Sequence, residues 1–371
     1  MENYVVSARK YRPQTFETVV GQRSIVMTLK NAIRSNQLAQ AFLFCGSRGV
    51  GKTSTARILA KTLNCTDRSA EIEACNACAS CNSFNEGSSL NVYELDAASN
   101  NSVDDIRGLI DQVRIAPQLG THKVYIIDEV HMLSTAAFNA FLKTLEEPPK
   151  HAIFILATTE KHKIIPTILS RCQIFDFQRI KVKDIAKHLE YIAQKENITA
   201  EPDALHLIAR KADGALRDSL SIFDQIVSFT QGNVTYQSVL ENLNVLDYDY
   251  FFKAVDFAEN EDIPGALIMF NDIMDKGFDG HNFLSGLSSH YRNILVAKDP
   301  VTISLLEVGD NVASKYGEQA ARIDNQRILR SIHIIQKAET EFKASKNQRL
   351  LVEWTLMQLC SLKQESEKKN G

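Results

Sequence analysis

The stretch GSRGVGKT, residues 46–53, matches the pattern G-x-x-x-x-G-K-[ST] at every fixed position. It follows the apolar run AFLFC and opens a helical pattern, which is the context that a phosphate-binding loop requires. Glycines let backbone N–H groups approach phosphate oxygens, and the N-terminus of the following helix adds partial positive charge. We expect Lys52 to reach the β- and γ-phosphates of a nucleotide and the Thr53 hydroxyl to bind Mg²⁺. The predicted nucleotide contacts of this loop are Gly46, Ser47, Arg48, Gly49, Val50, Gly51, Lys52, Thr53 and Ser54.

A second candidate site lies in KVYIIDEVHML, where Asp128 and Glu129 stand at the end of a hydrophobic strand pattern. In open α/β sheets, ligands bind outside the carboxyl ends of the strands. We therefore expect Asp128 to bind Mg²⁺, through water, and Glu129 to act as the base that polarises the attacking water. The alternative is an acidic N-terminus of the next helix, but the phosphate loop in the same chain favours the catalytic interpretation.

Four cysteines follow the helix of the phosphate loop, with the spacing C-x9-C-x2-C-x2-C: Cys65, Cys75, Cys78 and Cys81. A redox pair would be expected beside a thioredoxin-like unit, which the sequence lacks. An iron–sulfur cluster also takes four thiolates, and a catalytic zinc would leave one coordination position open. Four cysteines with no obvious fifth group favour a closed, structural zinc site, which would hold the polar insertion at about residues 64–84 together.

The composition is that of an ordinary globular protein. The 371 residues suffice for two or three domains, and the formal net charge of −3 gives no global basic field of the kind that marks many nucleic-acid binders. No apolar run approaches the ~20 residues of a membrane helix, and the N-terminus lacks the apolar core of a signal peptide. We expect a cytoplasmic protein, in which thiols stay reduced.

The elements that must position these residues change type along the chain. In the first ~180 residues, the short apolar runs AFLFCG, KVYIID and AIFILATT alternate with helical patterns, which indicates a parallel sheet covered on both faces. Beyond about residue 180 only helical patterns are visible. The predicted fold class is α/β followed by all-α, with domains at residues 1–179, 180–242 and 243–363 and a polar tail at 364–371.

Two longer motifs, DEVHMLSTAAFNAFLKTLEEPP and ATTEKHKIIPTILSRC, resemble the clamp-loader branch of the AAA+ ATPases. Together with ARKYRPQTFETVVGQ and the four-cysteine insertion, they closely resemble the gamma/tau family of bacterial DNA polymerase III. The resemblance is specific over about residues 4–220 and rests on helical pattern alone in the C-terminal block. It implies an AAA+ ATPase domain at 1–179, a helical lid domain at 180–242 and a helical collar at 243–363 that mediates oligomerisation.

The resemblance also implies roles for residues outside the phosphate loop. Arg171, in SRC, matches an arginine finger that acts in trans on the ATP site of a neighbouring subunit, where it stabilises transition-state charge. Thr159, or alternatively Thr158, matches a polar sensor of the γ-phosphate, and Arg217 matches a second sensor from the lid. The N-terminal residues expected to pack on the adenosine are Arg9, Tyr11, Pro13 and Val20.

For DNA, the resemblance points to the loop ASNNSVDDIRG, which contains Asn100, Asn101 and Ser102. Members of the family often have basic residues near positions 100 and 102, where this chain has Asn100 and Ser102. Arg107 is therefore the strongest candidate for DNA contact in this loop. Its alternative is an ion pair with Asp104 on a solvated helix face.

As a whole, the resemblance implies the ATP-hydrolysing motor subunit of a clamp loader, with ATP, Mg²⁺ and Zn²⁺ as cofactors. Its partners would be the other loader subunits in a hetero-oligomeric ring, the sliding clamp and primer–template DNA, with single-stranded DNA-binding protein and polymerase core reached indirectly. Two alternatives stay open, a branch-migration motor and a loader scaffold subunit that does not hydrolyse ATP. The second is disfavoured by the presence of Lys52, Thr53 and Asp128.

Overall fold

A parallel five-stranded sheet organises the N-terminal part of the chain. The structure, a computed structural model, describes residues 5–117, 120–306 and 308–368. The strands of the sheet are, in chain order, β1 Ala41–Cys45, β2 Val92–Asp96, β3 Lys123–Asp128, β4 Ala152–Thr158 and β5 Gln173–Asp176. They lie in the order β2-β3-β4-β1-β5, and every neighbouring pair is parallel. The carboxyl ends of β1, β3 and β4 therefore meet at one edge of the sheet.

Helices cover both faces of this sheet. The helices of this part are α1 Ser7–Lys10, α2 Arg23–Arg34, α3 Lys52–Asn64, α4 Ala79–Asn85, α5 Val103–Val113, α6 Thr135–Glu146, α7 Pro166–Leu169 and α8 Val182–Lys195. Short 3₁₀ turns lie at Val130–Met132 and Lys161–Lys163.

Alternate residues of β1 belong to two separate hydrophobic clusters. Phe42 and Phe44 pack with apolar residues of α2 and α3, whereas Leu43 packs with α5 and α6. Both faces of the sheet are therefore buried, as the continuous apolar runs predicted. All five residues of β1 and all seven of β4 are buried, which explains why these strands were visible in the sequence.

The C-terminal part is helical. Its helices are α9 Pro202–Lys211, α10 Leu216–Thr230, α11 Tyr236–Leu243, α12 Tyr248–Glu259, α13 Ile263–Asp275, α14 Gly280–Ala297, α15 Asp310–Ala320, α16 Asn325–Phe342 and α17 Gln348–Lys368, with a 3₁₀ turn at Ile303–Leu305. The prediction of helices alone was incomplete, because two-residue strands, β6 Thr199–Ala200 and β7 Asn233–Val234, pair in parallel. Of the predicted polar tail, residues 364–368 continue α17 and residues 369–371 lie outside the described residues.

The contacts of the chain define two compact units. The first combines Met1–Asn197 with Ile208–Gln225, and the second combines Ile198–Leu207 with Ile226–Gly371. In the second unit, α12, α13, α14, α15, α16 and α17 contribute to a large hydrophobic core. The domain boundaries inferred from the sequence stay a prediction. Within the described ranges, no helix is long and apolar enough to cross a membrane.

A buried polar network lies inside the second unit. His290 is 1% exposed, with its Nε2 at 2.8 Å from Oε1 of Gln319 and its Nδ1 at 2.9 Å from the hydroxyl of Tyr316. Gln319 in turn donates to the carboxylate of Asp256 at 3.0 Å. Burial lowers the pKa of His290 to about 4, with the hydrogen bond to Gln319 opposing that shift. The imidazole is thus neutral at physiological pH.

Candidate functional site

The phosphate loop runs from the end of β1 to the first turn of α3. Gly46 has a φ of 145° and Gly49 a φ of 77°, a region that residues with a Cβ rarely adopt. A Cβ on Gly46 would lie 2.5 Å from the carbonyl oxygen of Phe177, so the position also lacks space for a side chain. The loop therefore needs these glycines, and it leads directly into the helix N-terminus at Lys52, where an anion is favoured.

Lys52 lies folded against the loop that precedes it. Its Nζ donates to the carbonyl oxygens of Gly46 and Ser47 at 2.8 and 2.9 Å, and the residue is 5% exposed. Burial lowers the pKa of Lys52, whereas the carboxylates of Glu129 and Asp128 raise it. A buried ammonium at the loop, close to the acidic end of β3, is suited to bind a phosphate group.

The two side chains predicted to bind Mg²⁺ are hydrogen-bonded to each other, although 75 residues separate them in sequence. The Thr53 hydroxyl donates to Oδ2 of Asp128 at 2.6 Å, and Oδ1 of Asp128 accepts from the backbone N–H of Glu129 at 3.0 Å. Hydroxyl and carboxylate oxygens are the ligands that Mg²⁺ prefers. The pair therefore fits the magnesium site that the sequence predicts.

Glu129 adopts a left-handed backbone conformation, with a φ of 47°, which is uncommon for a residue other than glycine. Its Oε2 accepts hydrogen bonds from the backbone N–H and the hydroxyl of Thr159, at 3.2 and 2.9 Å. Thr158 is buried, and its hydroxyl lies 3.0 Å from Nδ1 of His131 and accepts from the N–H of Glu160. Of the two sensor candidates, the structure thus brings Thr159 to the candidate base.

The N-terminal segment is held in part by a hydrogen bond to a residue distant in sequence. The hydroxyl of Tyr11 is hydrogen-bonded to the carboxylate of Glu196, directly after α8, and burial, followed by this hydrogen bond, raises the pKa of Tyr11 to about 12. The ring of Tyr11, and not its hydroxyl, is therefore the part left for a nucleotide. Of the other predicted adenosine contacts, Arg9 is exposed, whereas Pro13 and Val20 are half-buried.

Arg12 is a candidate that the sequence analysis missed. Its Nε donates to the Ser54 hydroxyl at 3.2 Å, directly beside the predicted magnesium ligand Thr53. Burial lowers the pKa of Arg12, and the cations of Arg57 and Arg217 lower it further. Among the described residues, no carboxylate oxygen lies within ion-pair distance of its guanidinium. The signal was present in the sequence, since Arg12 stands between two residues predicted to pack on adenosine.

The arginines predicted as second sensor and as trans finger lie in different surroundings. The backbone N–H of Arg217 is 3.4 Å from the carbonyl oxygen of Gly49, which places the start of α10 against the phosphate loop. Arg171 instead pairs with Glu146 at 2.7 Å and donates to the carbonyl oxygen of Thr167 at 2.8 Å, with a third of its side chain exposed. These surface contacts leave Arg171 accessible to another molecule, as a residue acting in trans must be.

In the loop predicted to contact DNA, polar groups are hydrogen-bonded to other parts of the protein. Ser102 caps α5 in a reciprocal capping box, and Nδ2 of Asn100 donates to the carbonyl oxygen of Asp96. The carbonyl of Asn101 accepts from the N–H of Ser134. Arg107 pairs with Asp104 at 3.3 Å on an exposed face, the arrangement named above as the alternative to DNA contact.

The four cysteines of the insertion meet in space. Their Sγ atoms all lie within 4.8 Å of one another, with 3.5 Å between Cys65 and Cys75 and 4.0 Å between Cys75 and Cys81. Backbone N–H groups of Cys75 and Cys78 donate to cysteine sulfurs at 3.3 Å. Four thiolates around a tetrahedral zinc ion stand about 3.8 Å apart, given Zn–S distances of about 2.3 Å. The cluster therefore fits zinc with all four positions filled by sulfur.

The strand order, the phosphate loop after β1 and the acidic end of β3 together define a P-loop ATPase of the AAA+ class. Three family models match consecutive parts of the chain. The model described as DNA polymerase III, delta subunit, matches residues 21–181, and the clamp-loader ATPase lid domain matches 184–232. Domain III of DNA polymerase III subunits gamma and tau matches 234–370.

Similarity to curated proteins identifies the family within the AAA+ class. The chain is 40% identical to DNA polymerase III subunit tau of Bacillus subtilis, over 98% of the chain and 64% of that protein. It is 39% identical to subunit tau of Escherichia coli, over 96% of the chain and 55% of that protein. It is 36% identical to subunit gamma of Buchnera aphidicola, over 97% of the chain and 98% of that protein. The chain belongs to the DNA polymerase III gamma/tau family, which confirms the resemblance, and it spans roughly half to two thirds of its tau relatives.

Proposed function

We propose that the chain is the ATP-hydrolysing motor subunit of a clamp loader, which couples ATP binding and hydrolysis to the loading of a sliding clamp onto primed DNA during replication. The observation that carries this proposal is the hydrogen-bonded pair of Thr53 and Asp128 beside the buried ammonium of Lys52. A scaffold subunit that does not hydrolyse ATP would not require these three side chains in one place.

In this function each residue of the site has a separate role. Mg²⁺, when bound, would supply positive charge against the charge that develops on the phosphates. Lys52 and the loop N–H groups hold the phosphates, and Thr53 and Asp128 hold the ion. Glu129 orients the attacking water and accepts its proton, while Thr159 positions the carboxylate of Glu129.

The remaining roles involve partners. Arg171 completes the ATP site of a neighbouring loader subunit, which agrees with its exposed position and its surface ion pair. The ring of subunits is held by the helical C-terminal block and acts on the sliding clamp and primer–template DNA in the cytoplasm. Single-stranded DNA-binding protein and the polymerase core are indirect partners. Polymerase chemistry is not part of this proposal.

The cysteine cluster takes a structural role in this proposal. One zinc ion binds Cys65, Cys75, Cys78 and Cys81 and stabilises an insertion with little apolar core of its own. Metal analysis of the chain purified without chelator should find about one zinc per chain, given four thiolate ligands. We expect Cys78→Ser to lose that zinc, and a metal-free native chain would contradict the site.

One experiment tests the motor function directly. ATP hydrolysis is measured for the purified chain alone, then with the other loader subunits, then with sliding clamp and primed DNA added. We expect the rate to rise at each addition, because the other loader subunits complete sites that need a trans arginine and clamp with primed DNA is what hydrolysis is coupled to. No turnover in the complete mixture, with folded protein and intact partners, would refute the proposal.

A further inference from the structure

A buried lysine lies between the helix of the phosphate loop and the cysteine insertion. Lys61, in α3, is 2% exposed, and its Nζ donates to Oδ1 of Asn76 at 2.6 Å and of Asn85 at 3.4 Å. Both acceptors are neutral carboxamides. Among the described residues, no carboxylate lies within ion-pair distance of this ammonium. A charge so placed is costly unless a negative charge nearby compensates for it.

The cysteine cluster is the nearby source of negative charge. Asn76 stands between Cys75 and Cys78 in the sequence, so Lys61 is hydrogen-bonded within the ligand loop. Burial lowers the pKa of Lys61 and Arg57 lowers it further, whereas Cys81, Glu73 and Cys65 oppose this shift. A zinc ion with four thiolates carries a formal net charge of about −2, which a buried cation stabilises.

We propose that Lys61 is a positioning residue that compensates the charge of the zinc-bound cysteines and joins them to the phosphate-loop helix. The proposal rests on the zinc site proposed above. Lys61 lies in the same helix as the phosphate-loop residue Thr53, and Arg57, one turn before it, also lies over the ring of Phe84 in the insertion. The metal site and the nucleotide site are thereby built on the same helix.

The test measures zinc affinity rather than ATP hydrolysis. The zinc dissociation constant of the full chain is determined by competition with a chromophoric chelator. We expect Lys61→Met to weaken zinc binding by about 10–100-fold, as other losses from the outer shell of metal sites do. Lys123→Met is the matched control, because Lys123 is also a buried lysine with a neutral acceptor, the carbonyl of Gln112, and lies in β3. This control should keep the zinc affinity of the unsubstituted chain.

Two further variants separate charge from packing. Lys61→Arg keeps the positive charge and should bind zinc more tightly than Lys61→Met. Asn76→Gly removes the acceptor at an exposed position whose φ of 55° suits glycine, so it should fold and still bind zinc more weakly.

The outcomes are distinguishable. If the unsubstituted chain binds no zinc, both the metal site and the role of Lys61 are wrong. If the unsubstituted chain binds zinc, and Asn76→Gly and Lys61→Met both bind zinc as tightly as it does, only the role of Lys61 is wrong. Equal losses in the Arg and Met variants would show that charge is not what Lys61 supplies.

Discussion

Two hydrogen bonds join Glu129, at the end of β3, to Thr159, just after β4. One carboxylate oxygen of Glu129 accepts from both the backbone N–H and the hydroxyl of Thr159, at 3.2 and 2.9 Å. The candidate base and the candidate γ-phosphate sensor therefore restrain each other. If the Thr159 hydroxyl turns towards a bound phosphate, Glu129 loses a donor and becomes freer to engage water.

This relationship makes Glu129 testable apart from nucleotide binding. Glu129→Gln should reduce ATP hydrolysis by about 10²–10⁴-fold, the usual contribution of a general base, and leave nucleotide binding in place. Phosphate release and binding of a fluorescent ATP analogue measure the two effects. Glu160→Gln is the matched control, a neighbouring carboxylate that pairs with Lys163 and His131. Equal hydrolysis by both variants would contradict the assignment.

The magnesium site can be tested by an isosteric exchange in α3. Thr53→Val removes the hydroxyl bonded to Asp128 and with it a proposed Mg²⁺ ligand. We expect Mg²⁺-dependent ATP binding to weaken about 10-fold or more, since an interaction with a charged group contributes ~1.5–3 kcal/mol. Thr55→Val is the control, because its buried hydroxyl has no hydrogen-bond partner in the described part of the chain. Titrations with and without Mg²⁺ should separate the two variants; a Mg²⁺-dependent defect in Thr55→Val alone would reverse the interpretation.

In the N-terminal segment, Arg12 should contribute more to nucleotide binding than Arg9. Arg12 is half-buried and bonded to Ser54, whereas Arg9 is exposed. Arg12→Ala should weaken binding of a non-hydrolysable ATP analogue by about 10–100-fold, equivalent to a charged hydrogen bond of ~1.5–3 kcal/mol. Arg9→Ala should weaken it less. Calorimetric titration measures both, and a larger loss in Arg9→Ala would show that the segment meets the nucleotide differently.

Arg171 should matter only in the assembled loader. Arg171→Ala removes a surface ion pair with Glu146, which contributes at most about 1 kcal/mol, so folding and nucleotide binding should persist. Hydrolysis stimulated by clamp and primed DNA should fall about 10³-fold or more. Arg179→Ala, which breaks a comparable surface pair with Asp213, is the control. Loss of nucleotide binding by the isolated Arg171 variant would rule out action in trans.

The buried network around His290 predicts a pH-dependent stability of the second unit. Burial lowers the pKa of His290 to about 4, so between about pH 6.5 and 4 the unfolded state binds a proton that the folded state excludes. The free energy of unfolding should therefore decrease as pH falls through this window, by up to about 3 kcal/mol.

Trp354, the single tryptophan of the chain, lies in α17 and reports on this unit. Urea unfolding followed by its fluorescence at several pH values should give a shallower pH dependence for His290→Gln. If that variant and the unsubstituted chain respond to pH alike, His290 is not the group responsible.

The sequence by itself determined the central strands, the phosphate-loop motif and the four cysteines that meet in one cluster. These signals are local, because strands buried on both faces carry continuous apolar runs and a phosphate loop is a contiguous motif. The edge strands β2 and β5 were not predicted, since most of their residues are not fully buried and their apolar patterns are correspondingly weak.

Only the tertiary structure decided which distant side chains meet. Thr159 reaches Glu129 while the neighbouring Thr158 faces His131, because successive positions at the end of β4 point in different directions. Lys61 looks in the sequence like any helical lysine, yet the fold buries it beside the cysteine loop. Such pairings depend on which strands and loops lie adjacent in the fold. The order of strands in the sheet brings together residues that are distant in sequence, and their spacing along the chain does not predict that contact.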